Sequence, residues 1–525
     1  MKPIVKMTFW MTCFLYIVTT IDTARILAII PIPSYSHQIP YRTIWTTLSR
    51  RGHEVVLITS DPIDDPGLIN LTEINFHSNY KIIRKIDFVE MMSHSWMSTQ
   101  YTQLWDICLE ISENIYKHPE IRKMYELDSN QKFDVVIAET IKTPSLYALA
   151  HRFNAPLIGV STLRLYNHNH FLLGAPVLSS HISTWEMEDD TGFNLSLWQR
   201  IKNFIRQWYH IYCVLNHYYP KHQAIAEKYL GKNIPDISDM ERNMSIVFQN
   251  EQEALSFSRP KTPNVMTFGN FHISKKVMAL PKDLKDFVTN APNGFIYVSL
   301  GTNVMMSSFP NNILCIFCDV FASLPYKILW KYEGKLINKP DNVYIAKWFP
   351  QQSVLAHPNI KLFIYQGGIQ STEEAVYYTV PLLGLPVIAD QYAQLNRLEY
   401  LGIGKRLNIM NISKGYLNET IMDMLNNKRY KRKMLEIKAL NEDKPYDLLE
   451  HMIWWIEFVI RHRGALHLHT TIADDLWYKK YDMDIIAILS IVIFIILLSG
   501  IVIIYKSIKI IYNFRKMLIV KKKIN

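Results

Sequence analysis

Residues 24–59 read ARILAIIPIPSYSHQIPYRTIWTTLSRRGHEVVLIT, and the order of residue types in this stretch decides the fold class. Ala24 to Pro31 is, Arg25 apart, a continuous apolar run, which suits a strand buried on both faces. The loop PSYSHQIP follows, with His37 in it. Helical spacing then runs from Tyr41 to Ser49, and Arg50-Arg51-Gly52-His53-Glu54 turns the chain into a second apolar run, Val55 to Thr59. Strand, helix and strand in that order make a βαβ unit, whose crossover requires a parallel sheet. The pattern recurs downstream. Asp134 to Ala138 reads as a strand, Ser145 to Phe153 as a helix and Pro156 to Val160 as another strand.

A second α/β block begins near Asn293, with strands at Phe295–Leu300, Tyr326–Trp330, Val343–Trp348, Leu362–Tyr365 and Pro381–Pro386. Between the blocks, residues 259–292 carry Pro260, Pro263, Pro281 and Pro292 and read as a linker. The expected fold is α/β, with two doubly wound Rossmann-like domains at 24–258 and 293–465. The second ends in a crossing helix that bears Trp454 and Trp455. Ligands of such sheets bind beyond the C-terminal ends of the strands, so two facing sheets make a cleft. The stretch from about 165 to 230 is studded with Trp185, Trp198, Trp208, Tyr209, Tyr212, Tyr218 and Tyr219. Core packing, a pocket wall and a membrane-facing surface all fit that pattern.

The chain has 525 residues, 57 of them basic and 47 acidic, for a formal charge of +10. Its composition excludes collagen-like, disulfide-scaffold and wholly disordered classes. Residues 485–505, IIAILSIVIFIILLSGIVIIY, contain no charge and are long enough to cross a bilayer core of ~30 Å as a helix. The tail 506–525 holds +7 of the +10 and no acid, which places it on the cytoplasmic side. At the other end, Lys2 and Lys6 precede a short apolar stretch, so residues 1–23 read as a signal peptide. A juxtamembrane segment, 466–484, completes the plan. The high pI therefore reports topology, and no nucleic-acid partner is expected. Sequons at Asn70, Asn194, Asn243, Asn411 and Asn418 all fall on the proposed lumenal side. Of the cysteines, the pair Cys315 and Cys318 reads as buried thiols rather than a metal site.

One segment carries the chemistry. The strand Leu362–Tyr365 runs directly into Gln366-Gly367-Gly368-Ile369-Gln370-Ser371 and then a helix with Glu373 and Glu374. Glycines there let backbone approach a ligand, and a helix start offers free N–H groups and the positive end of its dipole to phosphate. The wider run includes Trp348-Phe349-Pro350-Gln351-Gln352, His357-Pro358, Gln366-Gly367-Gly368, Glu374-Ala375, Pro381, Gly384, Pro386 and Asp390-Gln391. It resembles the signature of the animal UDP-glycosyltransferases, of the insect kind. The last four residues resemble the dilysine signal of type I proteins of the endoplasmic reticulum.

The resemblance implies a GT-B fold and an endoplasmic reticulum membrane enzyme, single-pass type I with a lumenal body, in which a UDP-sugar is co-substrate and no cofactor is bound. Trp348 would stack on uracil, Gln351 would bond the uridine, and Glu374 would take the ribose hydroxyls. Gln366, Gly367, Gly368, Gln370 and Ser371 would line the diphosphate, with Ser299, Gly301 and Thr302 close by. Asp390 and Gln391 would hold the sugar, and Arg259 matches an arginine that reaches the nucleotide sugar in some members. Many members have His at the position of Gln366, so leaving-group stabilisation here would lean on the helix start. His37 matches the catalytic base, and Glu139 stands where the family commonly has Asp to orient it.

The implied reaction inverts an α-linked UDP-sugar, UDP-glucose rather than UDP-glucuronic acid, into a β-glycoside of a small lipophilic acceptor. Its expected setting is detoxification by a membrane glycoprotein. No metal is expected, because the one Asp-x-Asp run, Asp482-Met483-Asp484, flanks the membrane span. The resemblance leaves room for a homo-oligomer. Two alternatives stand beside this reading: a glycolipid-forming transferase of the same fold, and a non-catalytic membrane-anchored protein that binds nucleotide sugar or lipophile.

Overall fold

Strand β1 (Arg25–Ile30) is buried along all but its first residue, as an apolar run covered on both faces should be. The structure, a computed structural model, describes residues 23–92, 103–336 and 338–524. The segment read as a signal peptide lies outside the described residues but for Thr23. From β1 a sheet extends through β2 (Glu54–Thr59), β3 (Leu71–Asn75), β4 (Val135–Glu139), β5 (Leu157–Ser161), β6 (Ile246–Asn250) and β7 (Val265–Phe268). Its order is β3-β2-β1-β4-β5-β6-β7, and every pairing is parallel. One face packs against α1 (Tyr35–Arg50), which buries Tyr41, Ile44, Trp45 and Leu48.

The second sheet comprises β8 (Phe295–Ser299), β9 (Lys327–Lys331), β10 (Val343–Ala346), β11 (Ile360–Tyr365), β12 (Leu382–Gly384) and β13 (Gly404–Arg406). It too is wholly parallel, in the order β10-β9-β8-β11-β12-β13. Two helices frame its ligand edge, α3 (Ile369–Tyr377) after β11 and α4 (Gln391–Leu401) after β12; the longer α2 (Leu197–Cys213) belongs to the first half. Near the end of this half, α5 (Leu448–His462) returns to the first sheet, where Met452, Ile453, Ile456 and Val459 join the core built on β1 and α1. Arg51 Nη1 meets Glu457 Oε1 at 2.9 Å and fastens that return.

Several expectations need correction. The stretch 259–292, read as a linker from its prolines, contains β7, the edge strand of the first sheet, and a helix at Lys282–Thr289. Proline is tolerated at sheet edges and helix starts, so Pro263 and Pro281 flank these elements without preventing them. Helix α1 begins at Tyr35 rather than Tyr41, and Pro40 lies inside it, so His37 occupies a first helical turn and not a loop. Cys318 is buried but Cys315 is exposed. The aromatic stretch divides as well. Trp185 is fully buried, whereas Leu197, Trp198, Phe204, Ile205 and Tyr212 of α2 are exposed.

Residues from Thr470 onward form a separate unit. It consists mainly of α6 (Met483–Ile524), 42 residues or about 63 Å at the helical rise. Its portion Met483–Ile519, which contains an 18-residue window of mean hydropathy 3.2, is the one helix among the described residues long and apolar enough to cross a membrane.

Candidate active site

In a doubly wound sheet the ligand crevice opens where the strand order reverses, beyond the C-terminal strand ends. The first sheet reverses between β1 and β4, the second between β8 and β11. His37 follows β1 and Glu139 ends β4; Ser299 ends β8 and Gln366 follows β11. All four therefore arise at switch points by topology alone.

Local bonds set the position of His37. Gln38 Nε2 donates to the carbonyls of Ile30 and Ile32 at 3.0 and 2.9 Å, and Thr59 Oγ1 donates to Gln38 Oε1 at 2.8 Å. These bonds lock the first turn of α1 to the ends of β1 and β2. His37 Nδ1 then meets Glu139 Oε1 at 2.8 Å and Thr162 Oγ1 at 3.1 Å. A carboxylate only accepts, so Nδ1 carries the ring proton and Nε2 is the basic nitrogen. The extra methylene of Glu139, relative to Asp, is absorbed by its wholly buried side chain.

A cavity of about 540 Å³ joins this pair to the second sheet. Its lining includes His37, Ser299, Gly301, Thr302, Trp348, Gln351, Gln366, Gly368, Gln370, Ser371, Glu374, Asp390 and Gln391, so thirteen of the sixteen expected residues share its wall. Gln351 Nε2 donates to Ser371 Oγ at 2.9 Å and to Glu374 Oε2 at 2.7 Å. Gln352 Nε2 adds a contact to Glu374 Oε1 at 3.2 Å. Burial pushes the Glu374 carboxyl up to about 7, and these two amides oppose the shift. Asp390 is likewise raised by burial, to about 6, with Arg164 and His37 pulling the other way. Gly368 caps α3 with no side chain, which leaves the first N–H groups of that helix directed at the cavity. Gln391 Oε1 accepts from the backbone N–H groups of Val387 and Ile388, so its amide nitrogen is the arm presented to a ligand.

Glu139, the partner of His37, stands behind it rather than on the wall. Two other expected residues are not brought to the cavity lining. Gly367, at φ +101°, turns towards Leu395, where an added Cβ would sit 2.9 Å from Leu395 Cγ. Its freedom serves the turn, not the ligand. Arg259 Nη2 donates to Asn167 Oδ1 at 3.0 Å and to the Pro176 carbonyl at 3.1 Å, which holds it within the first half of the chain.

Other residues were missed in the sequence. Lys331, at the C-terminal end of β9, lines the cavity and pairs with Glu333 at 2.6 Å; a strand-end lysine was the available signal. Tyr35 meets Trp348 edge-on with ring centroids 5.6 Å apart, and Asn303 Nδ2 donates to Ser34 Oγ at 3.0 Å, so the two halves touch across the cleft.

Two Rossmann sheets that share one cleft are the GT-B architecture. The kitacinnamycin glycotransferase shares the fold at a TM-score of 0.55 and 16% identity, over 84% of this chain and 100% of that one. The chain belongs to the UDP-glucoronosyl and UDP-glucosyl transferase family, whose model matches residues 25–524. It is 31% identical over 505 residues to the ecdysteroid UDP-glucosyltransferase of Spodoptera littoralis nuclear polyhedrosis virus, covering 91% of this chain and 96% of that protein. It is 28% identical over 496 residues to UDP-glucuronosyltransferase 2B18 of Macaca fascicularis, covering 88% and 90%. The protein is thus a UDP-sugar-dependent glycosyltransferase.

Proposed function

We propose that this enzyme transfers glucose, in preference to glucuronic acid, from its UDP-sugar to the hydroxyl of a small lipophilic acceptor, with inversion at the anomeric carbon. The observation that carries the reading is the 2.8 Å His37–Glu139 contact beside a cavity also lined by Trp348, Gln351 and Glu374. His37 Nε2 takes the acceptor proton as the new C–O bond forms, and Glu139 stabilises the resulting imidazolium. UDP leaves as the C–O bond to its β-phosphate breaks. The developing charge meets the N–H groups at the start of α3, the Gln366 amide and the Lys331 ammonium. Asp390 and the amide of Gln391 hold the sugar hydroxyls. The glucose preference is supported by the viral UDP-glucosyltransferase relative and by Arg259, which is engaged away from the cavity.

The proposed membrane setting is supported by α6 as a single span; the basic tail is read as cytoplasmic, the body as lumenal, and the dilysine-like end as a signal for the endoplasmic reticulum. Membranes bearing the protein are expected to convert a phenol and UDP-glucose into the β-glucoside. UDP-glucuronic acid should be used at least about tenfold more slowly, a difference of about 1.4 kcal/mol in transition-state binding. A faster rate with the uronate would reverse the donor assignment, and an α-linked product would end the inverting mechanism. Trp348→Ala should raise the donor KM about tenfold, since aromatic stacking on a base contributes about 1–3 kcal/mol. Acceptor KM measured alongside checks that the loss is confined to the donor.

A further inference from the structure

A buried polar layer lies between Glu374 and the first sheet, and the reaction just described makes no use of it. His272, on the stretch that joins β7 to β8, has a side chain only 1% exposed. Its Nε2 lies 3.2 Å from the carbonyl of Gln370, in the first turn of α3. A carbonyl only accepts, so Nε2 bears the ring proton and Nδ1 the lone pair. Facing Nδ1 is Glu373 Oε2 at 3.5 Å, and neither atom has a hydrogen-bond partner. Two bare acceptors side by side in a dry pocket repel, so a proton must sit on Glu373. Burial acts in that direction, raising Glu373 to about 8 and lowering His272 to about 4, which leaves the imidazole neutral.

The other oxygen of Glu373 reaches the first sheet. Oε1 accepts from Gln252 Nε2 at 2.7 Å and, with the Asn250 amide turned nitrogen-inward, from Asn250 at 2.9 Å. Both partners lie at or just beyond the end of β6. Towards the cavity, His272 Nε2 is 3.5 Å from Glu374 Oε1. The His272 carbonyl accepts from Gln352 Nε2 at 2.8 Å, and the same amide reaches Glu374. One side chain therefore touches the helix start that faces the diphosphate, the carboxyl that faces the ribose, and a link to the opposite sheet.

We propose that His272 is a positioning residue for the donor: it holds the first turn of α3 and Glu374 in register and ties both, through Glu373, to Gln252 and Asn250 of the first sheet. The proposal rests on Glu374 as the ribose acceptor. It is tested on the full-length protein with UDP as the probe, by calorimetric Kd together with donor KM, acceptor KM and kcat.

His272→Phe should raise the UDP Kd and donor KM about tenfold, the loss of roughly one hydrogen bond, with kcat and acceptor KM changing less than about twofold. His272→Gln can still donate to the Gln370 carbonyl and should recover most of that loss. Glu373→Ala should weaken UDP in the same direction. The double variant His272→Phe/Glu373→Ala should be no worse than His272→Phe alone, because both remove one connected link. Wild-type UDP affinity in His272→Phe would overturn the proposal. So would additive losses in the double variant, or donor, acceptor and melting parameters falling together in both His272 variants. Glu374→Ala separates the two readings. If its UDP affinity is unchanged, the ribose assignment falls and this proposal with it; if it weakens while His272→Phe does not, this proposal alone falls.

Discussion

Replacement of His37 by alanine is expected to lower turnover by about 10²–10⁴-fold, the range general-base catalysis supplies. The UDP dissociation constant should stay within about twofold, because a truncated base removes no nucleotide contact. The expectation follows from placement. His37 Nδ1 is occupied by Glu139 and Thr162 of the first half, while Trp348, Gln351 and Glu374, the groups proposed to face the uridine, all belong to the second. On the proposed roles, the group that removes the proton and the groups that touch the nucleotide lie in different halves, so His37→Ala should be read in turnover and not in UDP affinity. Single-turnover rates with a saturating phenol, set beside calorimetric UDP binding, check this. Unchanged turnover would sink the assignment of His37 as base.

Glu374→Ala should weaken UDP about 10²-fold, as two hydrogen bonds from ribose hydroxyls to a charged acceptor are worth about 1.5 kcal/mol or more each. The effect also has a pH signature. Burial raises the Glu374 carboxyl to about 7, so in the free enzyme it is mostly ionised at pH 8 and mostly protonated at pH 6. The ionised form accepts both hydroxyls, so donor affinity is retained above the raised value and lost as pH falls through it. From pH 8 to pH 6 the wild type should lose about tenfold in UDP affinity beyond any loss in Glu374→Ala, which lacks the titrating group. Comparing the two proteins at each pH subtracts the titration of UDP itself. Parallel pH curves for wild type and variant would refute the role.

The parallel sheets were legible because their central strands are apolar runs with no alternation: Ile26 to Ile30, Val135 to Ala138, Phe295 to Val298 and Leu362 to Tyr365 are all buried. Edge strands other than β10 hid themselves. Gly404-Lys405-Arg406 carries two charges and Val265–Phe268 follows a proline-rich run, and neither looks like a strand until a neighbour pairs with it. Pro40 masked the start of α1, since proline ordinarily marks a helix boundary; here the preceding turn is held by Gln38 bonding to the ends of β1 and β2.

The proposed donor residues from Trp348 to Gln391 were readable as a spaced motif because that segment folds as one βα neighbourhood. His272 had no such signal. Its bond to the Gln370 carbonyl spans 98 residues, and nothing near it in the chain hints at a partner that distant. Arg259 shows the opposite failure. A residue type suited to a phosphate or carboxylate was legible, but its engagement by Asn167 and Pro176 is a tertiary fact.

The contact between Tyr35 and Trp348, two residues from the base, has a consequence for water. Any opening that parts these rings, and Ser34 from Asn303, also carries His37 away from the donor pocket. An opened cleft can hold a UDP-sugar with no base above its anomeric carbon, so a stray water there finds nothing to deprotonate it. With His37 as the proposed base, turnover then requires the halves drawn together, and a sugar nucleotide held in an opened cleft is spared hydrolysis until an acceptor arrives.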